Sequence, residues 1–197
     1  MDTVATPVIR LAGVRDLDRI MALETEAFPR GWSATSWTQE IRDHYVAIVD
    51  EGVGVIAMSE VAGTAELLRV IVSSGARGHG LGRALVSHGL EWASCFKATE
   101  VFLEVSHTNQ IAIRLYESLG FTLLDRRVSY YGPGDDALVY RRVIPSADPV
   151  IPSTDPVILT QSGSPAPDVQ TNFTTATQTV EGFPAPGVHN PITKERS

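Results

Sequence analysis

The chain has 197 residues, 43% hydrophobic and 20% charged, which excludes a wholly disordered polymer, a collagen-like repeat and a polytopic membrane protein. A net charge of −7 is the wrong sign for a general nucleic-acid binder, so no nucleic-acid partner is expected. The one cysteine, Cys95, excludes an internal disulfide and a cysteine-built zinc site.

The start Met1-Asp2-Thr3-Val4 lacks a basic stretch followed by an apolar core. No apolar run approaches the ~18–20 residues that span a bilayer. The expectation is a cytoplasmic protein without a membrane partner. In chain order, Val8 to Leu11 reads as a strand. Asp16 is placed to cap a helix whose apolar face is Leu17, Ile20, Met21, Leu23, Ala27 and Phe28, ended by Pro29-Arg30-Gly31. Ser33 or Ser36 caps a second, short helix through Trp37 and Ile41, and Ser36 with Gln39 fits a capping box. Strands follow at Tyr45–Val49, Gly54–Glu60 and Glu66–Val72, with a turn at Glu51-Gly52 and a break at Ala62-Gly63-Thr64.

A glycine-rich turn, Arg77 to Gly82, opens a helix over about 81–95 with Leu81, Leu85 and Trp92 on one side. Val101 to Val105 is a strand. Asn109 starts a helix through Ile111, Leu115 and Leu119, closed by Gly120. Strands at about 121–131 and 137–143 are joined at Gly132-Pro133-Gly134. The order β-α-α-β-β-β-α-β-α-β-β predicts an α/β (α+β) layer fold with a mixed sheet of about seven strands flanked by helices. Composition changes near Pro145: nine of the 12 prolines, Pro145 included, and 13 Ser or Thr lie from there on, with Phe173 and Phe183 the only aromatics. Such a segment buries too little apolar surface to offset its ordering entropy. The expected division is therefore a folded domain over 8–144 and a disordered tail over 145–197. A docked strand at Val157-Ile158-Leu159 is the alternative, and the tail could serve an unknown partner.

The turn Arg77-Gly78-His79-Gly80-Leu81-Gly82-Arg83 follows a strand and opens a helix. Glycines let backbone approach a ligand, and the free N–H groups of a first helical turn suit an anion such as a pyrophosphate. A dinucleotide-binding turn would need glycine where Arg83 stands, and a P-loop would need Lys then Ser or Thr after its last glycine; both fail. What remains is Arg-x-x-Gly-x-Gly. This resembles the coenzyme A loop of the GNAT N-acetyltransferase superfamily. A plain glycine-rich surface turn is the alternative reading of the motif taken alone.

Further segments carry the resemblance. Leu103-Glu104-Val105, Asn109-x-x-Ala112, Leu115-Tyr116 and Gly120-Phe121 stand at the family's spacing. So do Ala27-Phe28-Pro29, Trp32-Ser33, Ala65-Glu66-Leu67-Leu68, Arg126-Arg127-x-x-Tyr130-Tyr131 and Asp135 to Val139. Together they are similar to the ribosomal-protein-alanine N-acetyltransferase (RimI) branch, over essentially all of 8–144. The resemblance implies acetyl-CoA as cosubstrate, no metal, and a protein or peptide N-terminus as acceptor, that of a ribosomal protein in the branch named. It also implies that strands four and five splay to admit the cofactor. Cofactor contacts are implied at Val70, Ile71, Val72, Arg77, Gly78, His79, Gly80, Leu81, Gly82, Arg83 and Asn109. Asn109 would hold the pantetheine arm, and the backbone of Val70-Ile71-Val72 would pair with it. A lysine or small-molecule amine acceptor, or a non-catalytic CoA-sensing module, is the alternative.

The chemistry fits independently. Attack on a thioester needs a neutral amine. An α-amino group, with pKa ~7.7–8.0, is roughly one-tenth neutral at pH 7, against roughly one in a few thousand for lysine. A group must still take the proton, and a strand-end carboxylate, Glu104, is the candidate base, directly or through a water. The departing thiolate needs a proton, and the Tyr116 phenol is the candidate acid. The resemblance gives both residues these roles.

Some positions depart from the branch. Ser106 stands where Arg is common, Arg30-Gly31 is inserted, and Tyr140 replaces Met; the first two lie where an acceptor would approach. His107 is a candidate second base or an exposed loop residue. His44 and His88 read as helix-surface residues and Cys95 as a small packed one.

Overall fold

The computed structural model describes residues 7–145. The proposed tail, the Val157-Ile158-Leu159 strand and His189 lie outside the described residues. The strands are β1 (Ile9–Leu11), β2 (Tyr45–Val49), β3 (Gly54–Val61), β4 (Thr64–Val72), β5 (Glu100–Ser106), β6 (Thr122–Gly132) and β7 (Asp135–Val143). The helices are α1 (Leu17–Ala27), α2 (Ala34–Asp43), α3 (Leu81–Cys95) and α4 (Gln110–Ser118), and a short 3-10 turn covers Val14–Asp16. The element order is the one expected. The sheet runs β1-β2-β3-β4-β5-β7-β6, antiparallel throughout except for β4 against β5.

Strand alternation divides the core between two faces. On one face Ala47, Val49, Ile56, Met58, Leu67, Val101, Leu103 and Val105 pack beneath α3 and α4. On the other, Val46, Ile48, Val55, Ala57 and Ile71 pack beneath Ile20 and Leu23 of α1 and Trp37 of α2. Helix α3 approaches closely: a Cβ on Gly89 would overlap Met58 Sδ and sit 2.8 Å from Ile56 Cδ1.

The site depends on how β4 ends. Ala57 is opposite Arg69 while Met58 is opposite Leu67, so Leu68 is an extra residue in β4. Such a bulge bends its strand and strengthens the local twist. The parallel ladder to β5 covers only Thr64–Leu67 against Glu100–Leu103. Beyond it the two strands part, as expected of strands four and five.

Several local expectations are corrected. Asp16 does not cap α1 with its side chain; its carboxylate accepts from the Gly13 N–H at 2.9 Å and from the Arg10 guanidinium. Ser33 caps α2 through the Ser36 N–H, and the Gln39 amide bonds Asp43, so no Ser36–Gln39 box forms. Cys95 is exposed. His44 is half-buried against Glu40, and His88 bonds the buried Tyr45 hydroxyl, so neither is a plain surface residue. No described helix is long and apolar enough to cross a membrane.

Candidate functional site

The opening between β4 and β5 leads into a groove of about 640 Å³. Its walls are the end of β4 (Val70, Ile71, Val72), the glycine turn, the start of α3, and Asn109, Ala112 and Tyr116 on the α4 side. Among the residues proposed for cofactor contact, Arg77, Gly78, Gly80, Leu81, Gly82 and Arg83 line it as well. His79 is absent from the lining and exposed. Gly78 and Gly80 hold φ of 83° and 81°, which a side chain rarely tolerates, and Gly80 is the residue from which α3 starts. The helical ladder begins with Ala84 N–H to Gly80 C=O at 3.0 Å. The N–H groups ahead of it face the helix end, where the dipole favours an anion.

The Arg77 side chain closes on the Val72 carbonyl at 3.0 Å, and Arg83 reaches Ser118 Oγ at 2.7 Å, joining α3 to α4. The Asn109 side chain accepts from the Ala112 N–H at 3.2 Å, serving as the N-cap of α4. The Ser73 N–H is bonded to Val53 C=O at 2.9 Å. By the alternation of an antiparallel ladder, the Val70 and Val72 N–H groups therefore face the open side of β4.

Glu104 and Tyr116 lie on opposite faces of the sheet: Tyr116 lines the groove, whereas Glu104 is not among its lining residues and is the first β5 residue past the end of the ladder to β4. Leu103 and Val105 point into the core beneath α3 and α4, so Glu104 points to the other face, its side chain 23% exposed. Tyr116 belongs to the core on the α3 and α4 face and is 5% exposed. Burial pushes its phenol up, so it stays protonated through the neutral range. Tyr131 interacts electrostatically with both Glu104 and Tyr116; burial, with Glu104 next, pushes its phenol up to about 12.

The wall on the Glu104 side was only partly legible. Arg69, on β4, lies with its guanidinium carbon 4.3 Å from the ring centroids of both Phe28 and Trp32. It pairs with Glu24 at 3.3 Å, and Glu24 is 1% exposed. Burial pulls the Arg69 guanidinium down from its usual value, outweighing the pull of Glu24. The inserted Arg30-Gly31 fits this arrangement: a Cβ on Gly31 would sit 2.6 Å from Glu24 Oε1, which accepts the Trp32 N–H at 2.7 Å. Arg127, from β6, forms an ion pair with Glu104. His107 Nδ1 accepts the Asp136 N–H at 3.1 Å, holding it in the β7 hairpin. Arg69 and Glu24 carried no motif. Arg127 and Tyr131 sat in a segment noted only for its resemblance. No cluster among the described residues has metal-ligand geometry.

Comparison with known proteins bears on the family and the fold. The model of the acetyltransferase (GNAT) family matches residues 17–121. An uncharacterized protein of Mycobacterium leprae is 32% identical over 139 residues, covering 64% of this chain and 38% of that protein. An N-alpha-acetyltransferase of Sulfolobus acidocaldarius is 28% identical over 147 residues, covering 66% of this chain and 88% of the other. Among solved structures, the ribosomal-protein-S18-alanine N-acetyltransferase of Escherichia coli superposes with a TM-score of 0.67 at 25% identity, covering 74% of this chain and 99% of that one.

Proposed function

The chain belongs to the GNAT acetyltransferase family, for which acetyl-CoA-dependent N-acetyl transfer is the chemistry of the domain, and from that premise we propose that its acceptor is a protein N-terminal α-amine. The finer reading is an alanine N-terminus of a ribosomal protein, in the cytoplasm. The observation that carries it is the split in the sheet: a groove with an anion-binding helix start on one side, a carboxylate on the other, and a phenol at the junction. The likeness to the archaeal N-alpha-acetyltransferase and to the E. coli enzyme supports an N-terminal acceptor.

In this reading the pyrophosphate of acetyl-CoA sits at the glycine turn and its arm runs along the open side of β4. The Val70 and Val72 N–H groups are the donors available to an oxyanion. Glu104 takes one proton from the acceptor ammonium, and the neutral amine attacks the thioester carbonyl. Glu104 passes that proton to solvent and takes the second nitrogen proton as the tetrahedral intermediate collapses and the C–S bond breaks, then returns it to solvent. Tyr116 protonates the departing thiolate and regains a proton from solvent, so one proton is released per turnover. Thiolate and phenol share the same desolvated pocket, which raises both together and keeps transfer between them feasible. Transfer is direct, since Cys95 is exposed at the far end of α3.

The test is incubation of the purified chain with acetyl-CoA and a short alanine-ended peptide, followed by mass spectrometry. Acetylation of the α-amine, lost in Glu104→Gln, is the expected result. Acetyl-CoA binding without α-amine product would leave the family intact and overturn the acceptor.

A further inference from the structure

We propose that Arg127 is a latch on the acceptor side: with no acceptor present it occupies the Glu104 carboxylate, and the acceptor ammonium must displace it. The inference rests on the reading of Glu104 as the group that receives the acceptor's proton.

The register makes this pairing possible. Arg127 is opposite Ala137 in β7, and Ala137 is opposite Ser106 in β5, so Arg127, Ala137, Ser106 and Glu104 share one face of the sheet. A long side chain from β6 reaches β5 only by crossing β7, and the small Ala137 leaves the way clear. Arg127 Nη1 donates to Glu104 Oε1, and the guanidinium lies 5.6 Å from the Tyr130 ring centroid. The Tyr130 hydroxyl interacts with the same two charges.

The strand is fixed at this point. Beyond Arg127 the β6–β7 ladder breaks until Gly132, and Ser129 adopts a φ of 53°. Asp136 pins the bulge by accepting the Ser129 N–H at 2.7 Å and Arg126 Nε at 2.6 Å. Both side chains are about half exposed, but their partners differ: Arg126 is paired with Asp136, which also holds the Ser129 N–H, whereas Arg127 is paired with the carboxylate read as the acceptor's base. An ammonium and a guanidinium compete for Glu104, so Arg127 weakens acceptor binding without touching the donor groove.

The experiment measures the Kd of the alanine-ended peptide in the presence of CoA, and its KM in turnover. Arg127→Gln should tighten Kd and lower KM by about twofold to fivefold, the range of a partly exposed ion pair. Acetyl-CoA KM should stay constant. Arg126→Gln removes the same charge and should leave peptide affinity unchanged. Arg127→Lys should keep it within about twofold of wild type, which also covers the event that Arg127→Gln folds poorly. In a Glu104→Gln background, Arg127→Gln should have no effect on peptide Kd, because the latch then has nothing to hold. Unchanged or weaker peptide binding in Arg127→Gln, or equal tightening in Arg126→Gln, overturns the latch. Full turnover by Glu104→Gln alone overturns the base reading instead, so the two failures are distinguishable.

Discussion

The two sides of the split sheet are built from different materials. On the donor side, the open edge of β4, the glycine turn and the first turn of α3 offer backbone N–H groups with apolar walls. On the side proposed for the acceptor, Glu104 pairs with Arg127 and Glu24 with Arg69, and two tyrosines interact with these charges. The contrast teaches where specificity resides. A backbone cradle fits one invariant ligand, whereas a layer of paired side chains can be retuned by single substitutions. In the proposed reading the backbone cradle holds the cosubstrate, while the side-chain layer, with Glu104 as base, serves both the proton transfer and the choice of amine.

The sharpest way to break this division is to remove the carboxylate. Glu104→Gln should lower kcat/KM for the peptide by about 10³-fold, within the range for a general base, while acetyl-CoA Kd stays constant in a binding titration. Tyr116→Phe should follow with about a 10²-fold loss in kcat at unchanged acetyl-CoA affinity. A large loss of acetyl-CoA binding in either variant would show that the two sides are not separable.

Stability measurements sharpen the comparison further. Arg69→Met strands the buried Glu24 carboxylate and should cost about 2–3 kcal/mol in urea unfolding, with Glu24→Gln in the same chain recovering part of it. Gly89→Ala, under the donor side, forces a Cβ against Met58 and Ile56 and should cost about 1–3 kcal/mol, read as a lower Tm. The smallest effect is a pH dependence at the root of α1. Hydrogen bonds from the Arg10 guanidinium hold the Asp16 carboxyl at about 2, below its ordinary 3.8, against the opposing effect of burial. The folded value lies below the unfolded one, so this contribution is complete above about pH 4 and is lost as pH falls through 2. It should amount to about 1–2 kcal/mol, and Asp16→Asn should abolish that part of the acid limb.

How legible each region was follows from the same contrast. The glycine turn, Asn109 and Gly120 were readable because backbone geometry restricts residue type: positive φ calls for glycine, and an N-cap calls for a short acceptor side chain. Strand and helix order followed from periodicity and turn residues. Asp16 misled because its carboxylate had a stronger partner in Arg10, far enough away in sequence to leave no local pattern. Gln39 likewise preferred Asp43, one turn on in the same helix. Arg69 and Glu24 were invisible because a buried ion pair between a strand and a helix 45 positions apart has no periodic signature.

By itself the sequence determined the element order, the glycine-rich turn that opens a helix and the placement of a carboxylate and a phenol near the ends of two elements. These are local consequences of residue type, and local physics suffices for them. Only the tertiary structure decided that β4 carries a bulge opposite Met58, that its ladder to β5 stops at Leu67, and that Glu104 and Tyr116 lie on opposite faces of the sheet. It alone decided that Arg127 reaches across β7 to Glu104 and that Arg69 is held between Phe28 and Trp32. Such contacts depend on strand register and sheet twist, which arise from the packing of the whole domain and not from any one segment of it.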